Sequence, residues 1–350
     1  MNITILQRGN SHRLRIETQR DGKRCFNYET YRSKESAEAR KAELQSAQAQ
    51  APLNLTSDSV AEYFGQWVNE RVALGKIAET TAASYHLALA PFIEDHGCAK
   101  LQSITARAIQ DHYLLRLQTV APSTVRHLHS VLKTIFASAL KAGAIARDPM
   151  SCVEPPKARG GKSLALSEAQ LAACLQAVKG TKYGPLVRFA LATGFRRGEI
   201  AGLRWKDVDL HAKTATVKVV RTLVGGQKEI EKEPKTPESR RTVSLPSSIV
   251  SELRSIEGAP CARVFGEVSL HGMSAMAKRL GEKIGVDGLT FHSFRHTHAT
   301  HLLRAKAPTK AVSRRLGHAD VKITLAIYQH CLEDDDHNLA GLTDDLLTAA

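Results

Sequence analysis

Residues 147–167 read RDPMSCVEPPKARGGKSLALS, with three prolines and two adjacent glycines among four basic residues, and no helix or strand of ordinary length can pass through them. The chain therefore folds as at least two bodies joined there, and 350 residues are enough for two or three domains that each bury a core. This composition is that of an inter-domain linker, placed at 151–164. Its GGK lacks the spacing of a phosphate-binding loop, so nucleotide binding is not supported.

Upstream, residues 1–50 begin with short β-like runs, ITILQ, HRLRIETQ and RCFNYETY, with RDGKR as a hairpin turn, and continue into SKESAEARKAELQSAQAQ, which reads as a helix. From Leu55 the pattern turns helical. Val60, Tyr63, Phe64, Trp67 and Val68 fall at helical spacing behind cap-type residues, and three further helical runs complete an all-α domain over 55–150. Downstream, helical runs flank two strand-like stretches, TATVKVVRT and RRTVSLP, separated by polar EIEKEPKTPES. That pattern predicts a mixed, mainly helical domain with a small antiparallel sheet.

Charge says which partner to look for. The formal net charge is +14, and residues 161–330 carry 28 Lys and Arg against 14 Asp and Glu, whereas 51–160 carry 11 against 9. A basic excess confined to one segment points to a groove for a polyanion there. Residues 331–350 carry no basic residue and six acidic ones, with Leu339, Leu342, Leu346 and Leu347 at near-helical spacing. No run approaches the length of a membrane span, the first residues lack a secretory apolar core, and the six cysteines form no CxxC pair. A reducing cytoplasm is the expected location.

Four stretches carry chemistry. In ALATGFRRGEIAGLRWKDVDL (190–210) a Thr193-Gly194 turn delivers Arg196 ahead of a helix whose Ile200, Leu203 and Trp205 can pack inward; an arginine there suits an anion, and Glu199 can orient it. In LTFHSFRHTHATHLL (289–303), a helix puts His292 and Arg295 on one face, at i and i+3. His292, His296, His298 and His301 crowd together, but HExxH is absent and no nearby carboxylate completes a ligand set, so no metal is expected. In RRLGHADVKITLAIYQH (314–330), His318 precedes Tyr328 by ten residues. Tyrosines in apolar company ordinarily pack in cores, which leaves Tyr328 to pack or to react. The alternation of Val321, Ile323, Leu325 and Ile327 around it is strand-like. Lys235 lies in EKEPKTPESRRTVSLP, at a turn between strands, where lysines are commonly solvated.

In this order the four stretches resemble the tyrosine recombinase (phage integrase) family. Its TGxRxxE box is matched by Thr193, Gly194, Arg196 and Glu199, and its HxxR box by His292 and Arg295. Its LGH with a tyrosine ten residues on is matched by Leu316, Gly317, His318 and Tyr328, and its KT before a strand by Lys235 and Thr236. The resemblance covers 165–330 and, less specifically, the helical domain; residues 1–50 are similar to an arm-type DNA-binding domain.

It implies a multidomain, mainly α fold with small β-sheets: an α+β arm-binding-like unit (1–50), an all-α core-binding, SAM-like domain (55–150), the linker, a mixed α+β catalytic domain (165–330) and an acidic tail (331–350). It places 321–330 in a helix rather than a strand. It implies catalysis by Arg196, Lys235, His292, Arg295, His318 and the nucleophile Tyr328, with Glu199 in support. Arg196 and Arg295 would grip the phosphate, the histidines would carry the tyrosine proton, and Lys235 would protonate the departing 5′ oxygen. The reaction implied is transesterification through a 3′-phosphotyrosyl enzyme and a Holliday junction, with no cofactor, integrating or excising a mobile element or phage genome. The implied partners are double-stranded DNA attachment sites and three further copies in a tetramer, with a host DNA-bending factor and a directionality factor as accessories and no membrane. The implied setting is a bacterial cytoplasm, at the nucleoid. A topoisomerase IB-like enzyme and a DNA-binding regulator on a recombinase scaffold are the alternatives; the filled catalytic set argues against the second, and the arm-like unit favours integration over relaxation. The tail is expected to dock on a neighbouring protomer, or else to pack in cis or stay disordered.

Overall fold

The computed structural model describes residues 2–8, 11–20, 23–31, 33–49, 55–157, 164–234, 236–322, 324 and 325, and the chain divides into two units between residues 158 and 159. The division falls inside the Pro- and Gly-rich stretch.

The first unit opens with an antiparallel sheet, β1 (Asn2–Arg8), β2 (Ser11–Arg20) and β3 (Lys23–Tyr31) in that order, and α1 (Lys34–Ala49) packs on β2. Alternation decides the faces: Ile3, Leu14 and Ile16 form a small core, with Ile3 opposite Ile16 in the register. The other parity carries Arg13 and Arg15, whose guanidiniums lie 4.6 Å over the Tyr28 ring and 5.5 Å from that of Phe26, and both aromatics are exposed.

Four helices follow, α2 (Val60–Ala73), α3 (Glu79–His96), α4 (Ala106–Leu117) and α5 (Pro122–Lys141). Three of the four starts have a local cause: Ser59 and Glu62 form a capping box on α2, Thr105 caps α4, and Pro122 occupies the first turn of α5, while α3, with Ala78 at its N-cap position, has no side-chain cap. Phe64 is central to their core, 6.2 Å from Phe92 and 5.8 Å from Phe136. Val60, Trp67 and Val68 are buried with it, as the helical spacing predicts, while Tyr63 is half-buried.

The second unit contains α6 (Glu168–Val178), α7 (Gly184–Thr193), α8 (Arg197–Gly202), β4 (Val208–Asp209), β5 (Thr214–Thr216), β6 (Val220–Val224), β7 (Lys228–Lys232), β8 (Thr242–Ser244), α9 (Ser247–Arg254), α10 (Leu270–Ile284), α11 (Phe291–Arg304) and α12 (Thr309–Leu316). Strands β4, β5 and β8 form one antiparallel sheet, and β6 and β7 form a separate hairpin. Two sequence expectations are corrected. TATVKVVRT is two strands in different sheets rather than one, and the polar EIEKEPKTPES, read as a connection, contributes most of β7. Within the hairpin Val220 and Leu223 pack on the core, Arg221 bonds Glu229, and Glu231 ties it to Arg204 at 2.7 Å and Arg263 at 3.0 Å. Hydropathy carries no trace of such a ladder. No helix among the described residues is long and apolar enough to cross a membrane.

Candidate active site

The site is assembled where α7, α8, α11 and α12 meet. Helix α7 ends at Gly194, whose φ of +66° is the left-handed conformation that glycine adopts without steric cost; a Cβ there would stand 2.7 Å from both His298 and Leu316. The turn places Arg196 at the N-cap of α8. Its guanidinium donates to Glu199 Oε1 at 2.8 Å and to the Gly317 carbonyl at 3.0 Å, while Glu199 Oε2 accepts from the Arg196 backbone N–H at 2.8 Å. Gly317 is itself a left-handed cap, closing α12 at φ +68°.

Arg295 projects from α11 into the same place. It is 3% exposed, and it donates to the carbonyls of Gly194 at 2.7 Å and Leu316 at 2.8 Å. Both arginines thus engage carbonyls at the C-terminal ends of α7 and α12, where the helix dipoles favour cations. Among the described residues no carboxylate lies within ion-pair distance of Arg295, and burial, with the charge of Arg196 behind it, pushes its pKa down to about 9. A buried cation without a counter-ion is costly, and an arriving anion relieves that cost.

Glu199 is 2% exposed. Burial pushes its carboxyl up, but the guanidiniums of Arg241 and Arg196 outweigh burial and hold its pKa below the ordinary carboxylate range. Arg241 grips it through both nitrogens of the fork, at 3.0 and 2.9 Å, donates to the Arg315 carbonyl at 2.6 Å and stacks over Phe195 at 4.9 Å. Two guanidiniums therefore share one carboxylate, Arg295 adds a third positive charge, and the site keeps a net positive charge.

His318 is half-buried, and its Nδ1 shares a 2.9 Å hydrogen bond with Thr324 Oγ1, which leaves Nε2 free of that contact. Burial first, then the charges of Arg295, Arg196 and Arg241, push its pKa down to about 4, so the ring is neutral at pH 7. His292 keeps an open face to solvent, yet desolvation by the protein beneath it, with the charges of His296, Arg295 and Arg196, lowers its pKa as well. Its exposure makes solvent screening stronger there than at His318. A cavity of about 360 Å³ opens onto the site, lined among others by Arg196, Glu199, Pro234, Thr236 and His318.

The structure thus brings together Arg196, Glu199, His292, Arg295 and His318. Lys235, Tyr328 and the tail lie outside the described residues; the neighbours of Lys235, Pro234 and Thr236, line the cavity. Residues 321–322 and 324–325 are helical, so the strand-like alternation there is misleading. The four histidines of 292–301 do not share one site: His298 bonds the Leu191 carbonyl at 2.8 Å through Nδ1 and accepts from Arg315 Nε at 3.1 Å. Arg241, Arg315 and Thr324 were not singled out by sequence reasoning. The only hint at Arg241 was a basic doublet ahead of a strand.

A family model described as the phage integrase family matches residues 165–334. The tyrosine recombinase XerC-like protein of Caldanaerobacter subterraneus subsp. tengcongensis is 28% identical over 283 residues, which cover 71% of this chain and 72% of that protein. Among solved structures, the Tn1549 transposon integrase in complex with a circular intermediate DNA aligns with a TM-score of 0.68 at 19% identity, covering 78% of this chain and 95% of that one. A lambda integrase dimer bound to a COC′ core site aligns at 0.61 and 18% identity, covering 93% and 94%. At these identities the two structures bear on the fold alone.

Proposed function

We propose that this chain, which belongs to the phage integrase family of tyrosine recombinases, cuts and rejoins duplex DNA at attachment sites through a 3′-phosphotyrosyl intermediate on Tyr328. The observation that carries this reading is Arg295, a buried guanidinium with no ion-paired carboxylate among the described residues, set beside Arg196 and two histidines of lowered pKa. That arrangement suits a phosphodiester anion and the charge that grows on it in the transition state.

The phenol of a free tyrosine has a pKa of about 10, so attack needs both charge stabilisation and a proton acceptor. In the proposed step the Tyr328 oxygen bonds to phosphorus as the bond to the 5′ oxygen breaks. Arg196 and Arg295 hold the non-bridging oxygens. His318 or His292, neutral beforehand, takes the phenol proton, and Lys235 supplies a proton to the leaving 5′ oxygen. A 5′-hydroxyl of a partner duplex reverses the step, first to a Holliday junction and then to recombinant product. One phosphodiester replaces another, so the balance needs no cofactor.

The exposed face of the N-terminal sheet, with Arg13 and Arg15 over aromatic rings, supports an arm-type DNA contact for residues 1–50. A second cavity, about 630 Å³, is lined by Arg240, Lys310, Arg314 and Arg315, and its charge suits the acidic tail of a neighbouring protomer in a tetramer. The decisive test of the chemistry is a nicked duplex spanning the crossover site, assayed for covalent adduct on a denaturing gel. Tyr328→Phe should abolish the adduct and retain DNA binding; an adduct that persists removes Tyr328 as nucleophile. Exchange between two labelled duplexes, rather than relaxation of a supercoil, separates a recombinase from a topoisomerase-like enzyme.

A further inference from the structure

The helical part of the first unit holds a cluster that strand exchange does not use. Asp95 and His96 lie in the last turn of α3, and His112 lies in α4; one nitrogen or oxygen of each is within 4.8 Å of the others. The His112 side chain has no exposed surface. Its Nδ1 shares a 2.7 Å hydrogen bond with Asp95 Oδ2. Nδ1 and the carboxylate thus face one another beside His96, and a cation bound there takes the place of the proton they share, the remaining ring proton staying on Nε2.

The surroundings agree. The His96 ring lies 5.9 Å from that of His112, centroid to centroid, and supplies a second imidazole. Phe92 walls one side, 4.7 Å from the ring of His96 and 5.1 Å from that of His112, while Asp95 is exposed and leaves a route in from solvent.

We propose that Asp95, His96 and His112 bind one divalent first-row transition ion of the zinc, nickel or cobalt kind, which clips the end of α3 to α4. Two imidazoles and one carboxylate select such ions over calcium or magnesium, which take oxygen donors. Metal bonds of roughly 2.0–2.2 Å set tetrahedral donors about 3.4 Å apart, so the present spread closes by small rotations, chiefly of the half-exposed His96. Three protein donors leave a fourth position for water. The two imidazoles and their carboxylate are spread over separate helices, which is why no motif announces them.

The test uses the full chain after dialysis against a chelator, titrated with Co²⁺ alone and followed by its visible absorption, with Zn²⁺ titrated in parallel by calorimetry. The expected result is one saturable site per chain. His96→Ala and Asp95→Asn should each weaken it by about 10–100-fold, with circular dichroism unchanged in both and the metal-free melting temperature unchanged in His96→Ala, whose side chain reaches the surface and holds no buried partner by a hydrogen bond. Zn²⁺ should raise the melting temperature of the unaltered chain and not that of His96→Ala. No saturable binding by the unaltered chain, or equal binding by the two variants, overturns the proposal. Because the histidines of 292–301 and the cysteines stay in place in both variants, binding at those groups would show up as the second of these results.

Discussion

Arg241 offers the sharpest test of how the site is held. Arg241→Met keeps the aliphatic stem against Phe195 but removes four donated bonds: two to Glu199 at 3.0 and 2.9 Å, one to the Arg315 carbonyl at 2.6 Å and one to the Ser239 carbonyl at 3.3 Å. Taking one partner from a buried ion pair costs roughly 3–5 kcal/mol, because the other charge stays buried. Here Glu199 keeps the Arg196 guanidinium and backbone N–H, each at 2.8 Å, so the cost falls at the lower end, about 3 kcal/mol. The chain has two tryptophans, Trp67 in the first unit and Trp205 in the second, and Trp67→Phe leaves Trp205 to report the second unit alone. Urea unfolding followed at Trp205 should then show the midpoint fall by about 1–2 M. In a Glu199→Gln background the same change should cost about 2 kcal/mol less, since no buried charge is left behind. DNA cleavage should fall further than DNA binding, because Arg196 loses the shared carboxylate geometry that aims it. A cost below about 1 kcal/mol, additive with Glu199→Gln, would falsify the claim that Arg241 holds the Glu199 charge.

Two further expectations concern other parts of the chain. Burial and the neighbouring Arg315 push the His298 pKa down to about 4, against an ordinary value of about 6.5. A folded-state pKa below the unfolded one means stability that is whole above about pH 6.5 and is lost as pH falls toward 4, here on the order of 3 kcal/mol. His298→Gln should make the dependence of the second unit's urea midpoint over that window shallower, leaving the share that His318 contributes; an unaltered slope assigns it to other groups. Deleting 331–350 should leave cleavage by a single protomer intact and weaken tetramer formation on paired sites, measured by sedimentation; unchanged assembly removes the docking role of the tail.

How much of this was legible in the sequence depends on the span of each interaction. Arg196 and Glu199 are three residues apart, as are His292 and Arg295, and one helical turn converts each spacing directly into a shared face. Arg241 reaches Glu199 across 42 residues, and a neighbouring Arg240 of the same type pairs instead with Glu233. Nothing local distinguishes the two. The same holds for β7, whose residues pair through charge, and for His298, which spacing placed among four histidines and packing turned toward Leu191 and Arg315. Helices were read well because caps and apolar stripes are local signals, while the split of TATVKVVRT between two sheets depends on partners at 242–244 and 228–232 that no short window contains.

The same reasoning explains why two arginines of one site have different electrostatic settings. Arg196 shares Glu199 with Arg241, so its charge is largely answered within the protein and its orientation is fixed before any ligand arrives. Arg295 is held instead by two carbonyl oxygens, which orient a guanidinium without neutralising it. Two carbonyl bonds leave three of its five N–H donors uncommitted to them. An anion entering the cavity therefore meets Arg196, whose position is set, with the unspent charge of buried Arg295 behind it. Stabilisation of added negative charge falls mainly to the second, and this is the division expected where charge accumulates only in the transition state. Lysine at 295 would keep the charge but could not span both carbonyls in the planar fork, so the positioning and the charge belong to one side chain.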